Sequence, residues 1–154
     1  MKINRNVMSE FDKAESKGRT IVENIIKDKC VAYEFQETTS TIDLFVTGYT
    51  TTAAIEIKDR ERYNAKDVER FGGMYIKETK YKSLTGTTID GYTPYFFVIF
   101  KDWIYVWDIT KINPVFHEEY LDNTCVVDTG KSYQSISYLH LEDAIKKYKT
   151  ADYK

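Results

Sequence analysis

Two short stretches of strand-like sequence carry acidic and basic side chains at spacings that suit metal-ion chemistry. Residues 42–46 contain Asp43, and residues 54–58 contain Glu56 and Lys58 within otherwise apolar sequence. Because side chains alternate between the two faces of a strand, Glu56 and Lys58 share one face. Two carboxylates side by side, with an ammonium group two residues away, form a pattern that binds a hard divalent cation such as Mg²⁺.

The segment between these stretches predicts a hairpin that brings the carboxylates together. Residues 47–52 contain Gly48, a typical turn residue, and a bend centred at 49–50 places Asp43 opposite Glu56. Opposed like charges destabilise a strand pair, and a partly buried carboxylate also loses hydration free energy. A bound Mg²⁺ would offset both effects. The alternative is a solvated Glu-x-Lys face, which is common in a chain that is 30% charged.

The composition predicts one globular domain that spans residues 1–154. The formal net charge of −2 argues against a global positive field for nucleic acid, although basic residues can still gather around one groove. No apolar run is long enough to cross a membrane and the polar N-terminus lacks a signal-peptide core, so we expect a cytoplasmic protein. Cys30 and Cys125 are expected to be buried free thiols.

Hydrophobic periodicity predicts a mixed sheet flanked by helices, an α/β arrangement in the order α-β-β-β-α-β-β-β-α. The predicted elements are a helix over 11–29, a strand over 31–35, the hairpin, a helix over 63–80, strands over 95–100 and 103–109, an irregular segment over 112–128, a last strand over 135–139 and a closing helix over 141–148. Gly72 and Gly73 weaken the second helix by roughly 1 kcal/mol each.

The first predicted helix carries a carboxylate beside its core-facing side. Val22, Ile25 and Ile26 lie on one side at helical spacing, and Glu15 lies at the edge of that side. Such a position normally holds an apolar residue. Glu15 is therefore either a functional residue or an ordinary boundary residue paired with Arg19 at i+4.

In this order of elements and residues, the sequence resembles the PD-(D/E)XK superfamily of restriction-endonuclease-like nucleases, whose smaller members include the archaeal Holliday-junction resolvases. The matching residues are Glu15 on the first helix, Asp43 at the head of the hairpin, and Glu56 and Lys58 on its return strand. The resemblance covers residues 15–109 and implies the restriction-endonuclease-like fold.

One position departs from the family pattern, and at another the matching residue has two candidates. Ile42 precedes Asp43 where the family name has proline. The helix carboxylate is either Glu15 or Glu23, which follows Lys17-Gly18 in a manner similar to resolvases. The helical-face argument favours Glu15.

The resemblance implies a metal-dependent nuclease that hydrolyses DNA phosphodiester bonds by attack of a Mg²⁺-activated water, with Mn²⁺ as a substitute. Asp43, Glu56 and the backbone carbonyl of Ile57 would bind the ion. Glu15 would hold a second ion or the hydrated shell of the first. Lys58 would orient the attacking water or stabilise the pentacovalent state.

The most basic part of the chain, residues 58–82, begins at this candidate site. Within it Arg60 and Lys66 would contact flanking phosphates of DNA, unless they belong to a solvated helix face. DNA is the expected partner, RNA remains open, and a homodimer would address two strands. One alternative is a catalytically inactive nucleic-acid-binding or partner-binding module on the same fold. Another is an unrelated α+β protein with a surface ion-pair cluster.

Overall fold

The protein was analysed as a computed structural model, which describes residues 10–37, 40–122 and 130–154. Within these ranges the chain forms three α-helices and nine strands, and the strands are arranged in two sheets. The helices are α1 (Glu10–Ile26), α2 (Ala65–Arg70) and α3 (Glu78–Gly86). The strands are β1 (Ala32–Phe35), β2 (Leu44–Thr47), β3 (Thr52–Arg60), β4 (Met74–Lys77), β5 (Tyr92–Phe100), β6 (Trp103–Asp108), β7 (His117–Asp122), β8 (Lys131–Leu139) and β9 (Lys146–Lys149).

The larger sheet has six strands in the order β1-β2-β3-β5-β6-β9. The pair β3–β5 is parallel and the other neighbours are antiparallel, so the sheet is mixed as predicted. The apolar side of α1 covers one face of it, where Val22 and Ile25 pack with Leu44, Ile55 and Ile99. The predicted α/β fold class, a mixed sheet flanked by helices, is therefore confirmed.

The opposite face of the sheet carries the second core and the candidate site. Ala54, Phe96 and Val98 pack there with Ile76 and with Leu84 of α3. Because side chains alternate along β3, its residues 56 and 58 point to the same face as Ala54. Their register partners on β5 are Phe96 and Val98, which belong to this core. The site is thus built on the face that α3 and the smaller sheet β4-β8-β7 cover.

The hairpin β2–β3 forms with the predicted turn. Thr47 pairs with Thr52, and the amide of Gly48 donates to the carbonyl of Thr51 at 2.7 Å. A Cβ atom at Gly48 would lie 2.7 Å from the same carbonyl oxygen, closer than real side chains approach. Glycine is therefore required sterically at this turn.

The predicted helix over residues 63–80 is wrong as a single element. Gly72 and Gly73 adopt positive φ angles of 115° and 96° and separate α2 from β4. Met74 and Ile76 then alternate into the core with period two, and β4 pairs with β8. Short apolar runs fit both periods, and the antiparallel partner decides between them. A new helix, α3, follows directly.

The predicted closing helix over residues 141–148 is also wrong. A 3-10 turn at Leu141–Asp143 leads into β9, which pairs with β6. The amide of Ile145 donates to the carbonyl of Val106 at 2.8 Å and starts this pairing. A short isolated helix is only marginally stable, whereas β9 satisfies backbone groups at the edge of β6.

The C-terminal third differs from expectation in two further respects. The segment 112–128, predicted to be irregular, contains β7, and β8 is followed by another strand.

Cys30 is a free, half-buried cysteine, while Cys125 lies outside the described residues. No helix in the described ranges is long and apolar enough to cross a membrane.

Candidate active site

Asp43 lies where the ladder between β2 and β3 ends. The last pair of that ladder joins Leu44 to Ile55, and the amide of Asp43 donates to the carbonyl of Ile55 at 3.1 Å. Beyond it, Oδ2 of Asp43 accepts a hydrogen bond from the backbone N–H of Ile57 at 2.8 Å. The buried carboxylate of Asp43 thus takes the place of a backbone carbonyl as the acceptor for this N–H group. The hydrogen bond holds the carboxylate in a defined orientation beside β3.

The backbone carbonyl of Ile57 belongs to the same edge of β3. In an extended strand the N–H and C=O groups of one residue point to the same edge. Since the N–H group of Ile57 points to Asp43, its carbonyl oxygen also lies on the edge that faces β2. This geometry supplies an oxygen on the edge where the ladder opens.

Glu56 lies opposite Asp43 when the ladder is continued by one residue. It is only 6% exposed. The Nζ atom of Lys80 on α3 is 2.8 Å from its Oε2 atom, which is the distance of a close ion pair. Lys80 therefore offsets the negative charge of the buried Glu56.

Burial, followed by the negative charge of Asp43, raises the pKa of Glu56 to about 8 against the opposing charge of Lys80. A protonated Glu56 can also hydrogen-bond to Asp43, which acts in the same direction. At pH 7 Glu56 is thus mainly neutral unless another cation lies beside it. The pair has the electrostatic character of a site that a divalent ion would complete.

Lys58 is half-buried on the same face as Glu56. Burial, followed by the positive charge of Arg60, lowers the pKa of Lys58 to about 8, and the negative charge of Glu56 opposes this shift. An amine whose pKa lies near neutral pH can exchange a proton under working conditions. This is the behaviour expected of a group that acts on a water molecule.

Glu15 reaches the site through Arg19. One guanidinium nitrogen of Arg19 lies 3.7 Å from Oε1 of Glu15 and 3.5 Å from Oδ1 of Asp43. The i+4 pair considered as an alternative therefore forms, and it also brings Glu15 towards Asp43. Glu23 instead lies near Tyr33 of β1 and raises the pKa of that hydroxyl group. Of the two candidate helix carboxylates, Glu15 is the one that shares a cation with the carboxylate pair.

The oxygen donors present fit Mg²⁺. Among the described residues, no three His, Cys, Asp or Glu side chains lie close enough together to hold a metal ion. Asp43 and Glu56, with the carbonyl of Ile57, nevertheless offer hard oxygen ligands, and Mg²⁺ commonly keeps several waters beside one or two carboxylates. Lys80 is the cation that lies beside Oε2 of Glu56 in this structure.

Lys80 and Arg19 are site residues that sequence reasoning missed. Lys80 belongs to the basic segment 58–82, but its direction depends on α3 beginning at Glu78, which the single predicted helix obscured. Arg19 was considered only as the partner of Glu15. Both side chains meet the carboxylates through contacts between segments distant in sequence.

Arg60 and Lys66 lie in different surroundings. Arg60 follows Lys58 on the same face of β3 and is near enough to influence its pKa. Lys66 instead lines a groove of about 500 Å³ with Tyr105, Lys146 and Lys147, among other residues. The structure thus places Arg60 near Lys58 and places Lys66 in a separate basic groove.

This basic groove lies on the same face of the sheet as the site. Lys58 pairs with Val98, Val98 with Tyr105, and Tyr105 with Lys147, so these residues form one row across β3, β5, β6 and β9. Neighbouring strands are about 4.8 Å apart, which puts the backbone of Lys147 about 14 Å from that of Lys58.

The fold is similar to that of Archaeoglobus fulgidus Hjc, a Holliday junction resolvase from an archaeal hyperthermophile. The TM-score is 0.52 at 12% sequence identity, and the match covers 65% of this chain and 81% of the resolvase chain. No family model matches the sequence, and no curated protein matches it significantly. The similarity at this identity concerns the fold, and it confirms the predicted fold class, a nuclease-like mixed α/β architecture.

Proposed function

We propose that this protein is a metal-dependent nuclease that hydrolyses phosphodiester bonds of DNA. One observation carries the proposal: Asp43 and Glu56 are buried beside each other at the end of the β2–β3 ladder, with Lys58 on the face of Glu56. Their charges are incompletely compensated by the protein. The fold that holds them is similar to that of a Holliday junction resolvase.

Asp43, Glu56 and the carbonyl of Ile57 would hold Mg²⁺, and Mn²⁺ would substitute for it. Glu15, which shares Arg19 with Asp43, would contact the hydrated shell of the ion. When bound, the ion would lower the pKa of a coordinated water and offset negative charge on the phosphate.

The protein's own groups would position the reactants and handle the proton. The N–H group of Ile57 holds Asp43 in one orientation, so this ligand is preorganised. Protonated Lys58 would donate to a phosphate oxygen, and its neutral form would accept a proton from the attacking water. The lowered pKa makes both forms accessible near pH 8.

The DNA strand would follow the basic residues on the site face. Arg60 would contact a phosphate beside the scissile bond, and Lys66 and Lys147 would contact phosphates in the basic groove. A span of about 14 Å corresponds to about four base-pair steps along the axis of a duplex, at about 3.4 Å per step. Such contacts add salt-dependent affinity without reading sequence.

A second candidate function is a nucleic-acid-binding or partner-binding module on the same fold without catalysis. Lys80 and Arg19 already lie against the two carboxylates, which favours this alternative. It predicts DNA binding that does not depend on a divalent ion.

Cleavage of labelled DNA in Mg²⁺, Mn²⁺ or chelator tests the proposal, with four-way junction, duplex, single-stranded DNA and RNA as substrates. We expect metal-dependent cleavage that is lost in Glu56→Ala and in Lys58→Ala. Lys82→Ala, which removes an exposed lysine of α3, is the control and should cleave normally. DNA binding without cleavage under every metal would support the inactive module instead.

Calorimetry separates the nuclease from the two alternatives that need no metal. The nuclease proposal requires that the protein bind Mg²⁺ or Mn²⁺ and that Asp43→Ala weaken this binding. If no ion binds, DNA binding then separates the inactive module from an ordinary ion-pair cluster. The homodimer remains a prediction, which light scattering on the same samples would check.

A further inference from the structure

Lys80 connects three separate segments at the candidate site. Its Nζ atom lies 2.8 Å from Oε2 of Glu56 on β3. The same atom donates a hydrogen bond of 2.6 Å to the backbone carbonyl of Thr41, which precedes β2. Since Lys80 itself belongs to α3, one ammonium group joins this helix to both sides of the carboxylate pair.

The ammonium group is the counter-charge of Glu56 in this structure. Glu56 is buried, and the 2.8 Å between Nζ and Oε2 is the distance of a close ion pair. Lys80 therefore occupies the place beside Oε2 that another cation would take.

A divalent ion on Glu56 would conflict with Lys80 in its present place. Mg²⁺ binds carboxylate oxygen at 2.0–2.1 Å and carries two positive charges. An ammonium nitrogen 2.8 Å from the same oxygen would lie within a few ångströms of that ion and repel it strongly. The hydrogen bond to Thr41 does not involve the carboxylates, so Lys80 can keep it while leaving Glu56.

Arg19 is not in the same position. Its closest contact to Asp43 is 3.5 Å, and its other terminal nitrogen donates to the carbonyl of Gln36 at 2.7 Å. Gln36 lies on the β1 side of Asp43, to whose carbonyl its amide donates at 2.8 Å, so Arg19 is held on that side by its own anchor. Lys80 is the cation that lies closer to a carboxylate oxygen, at 2.8 Å from Oε2 of Glu56.

We propose that Lys80 is a built-in counter-cation that occupies the carboxylate pair until a divalent ion displaces it, and that it thereby sets the affinity of the metal site. The inference rests on the proposed function, because it assumes that a metal binds there. Its consequence is specific: the protein's own lysine weakens metal binding, and the loss of this lysine strengthens it.

Calorimetric titration of the full chain with Mg²⁺ and with Mn²⁺ tests this inference without any activity measurement. Lys80→Gln should bind the ion about tenfold more tightly than the wild type, because a nearby like charge is gone. Lys80→Met, which keeps much of the aliphatic stem, provides a second variant if the first folds poorly. Lys82→Gln removes one charge from the exposed side of the same helix and should leave the affinity unchanged.

The outcomes are distinguishable. Tighter binding in both Lys80 variants but not in Lys82→Gln supports the inference, and so does binding that appears only in the Lys80 variants. Equal or weaker affinity in the Lys80 variants overturns it while leaving the metal site and the proposed function intact. Absence of binding in every protein overturns both.

Discussion

Replacing Glu56 by Gln should stabilise the protein when no divalent ion is added. The carboxyl group is 6% exposed, and burial, followed by the charge of Asp43, raises its pKa from 4.5 to about 8. In the unfolded chain the same group ionises normally. Folding at neutral pH must therefore protonate Glu56, which opposes stability. Glutamine has a similar shape and requires no proton.

The size of this effect follows from the pKa difference. At pH 7 Glu56 is protonated in the folded protein. In the unfolded chain its pKa of 4.5 lies about 2.5 units below this pH, so the group is ionised there. At 1.36 kcal/mol per unit, the penalty is on the order of 3 kcal/mol. For a chain of this length, that corresponds to an increase in melting temperature of about 6–12 °C in Glu56→Gln.

The assay is urea or thermal unfolding of the wild type and Glu56→Gln between pH 4.5 and 8.5 in the presence of chelator. Because the folded pKa lies above the unfolded one, the contribution of Glu56 to stability is greatest below pH 4.5 and declines until about pH 8. The wild type should therefore lose stability relative to Glu56→Gln over this window. Glu142→Gln, an exposed control, should follow the wild type.

Two results would refute this reasoning. One is a Glu56→Gln variant that is less stable than the wild type at pH 7. The other is a pair of stability curves that run parallel from pH 5 to 8. Excess Mg²⁺ provides a further check, since it should stabilise the wild type and have little effect on Glu56→Gln.

The remaining predictions concern the turn and the basic groove. Gly48→Ala should lower the free energy of unfolding by about 1–3 kcal/mol in urea, because its Cβ would lie 2.7 Å from a backbone carbonyl oxygen. Gly86→Ala, whose Cβ meets nothing within 4 Å at a helical φ of −60°, should be neutral or stabilising by about 0.4–1 kcal/mol. Lys66→Gln and Lys147→Gln should each weaken DNA binding and reduce the slope of log affinity against log salt by about one, as measured by anisotropy. Lys131→Gln, which changes an exposed lysine at the start of β8 in the other sheet, should leave the DNA affinity and the salt slope unchanged. Equal losses of affinity in all three variants would exclude the groove as the binding surface.

The hairpin and its carboxylates were predictable because they are local. The alternation of side chains along β3 and the turn at Gly48 together specify the register of residues close in sequence. A shift by one residue would have moved Glu56 to the other face of the sheet. The opposition of Asp43 and Glu56 therefore follows from nearby sequence.

The elements that were predicted wrongly depend on distant partners. The segments 74–77 and 146–149 are only four residues long, so the side-chain pattern of each is compatible with helix or strand. Pairing with β8 makes the first a strand, and pairing with the edge of β6 makes the second a strand. Backbone hydrogen bonds to a neighbour outweighed local propensity in both segments.

The sequence by itself determined which oxygen and nitrogen groups stand at the end of the β2–β3 hairpin and that Glu56 and Lys58 share a face. Only the tertiary structure decided their electrostatic state, because that state depends on burial and on cations from elsewhere in the chain. Arg19 comes from α1 and Lys80 from α3, and burial against the second core raises the pKa of Glu56 and lowers that of Lys58. A pKa shift of this kind arises from the dielectric surroundings of a group, which strand periodicity does not encode.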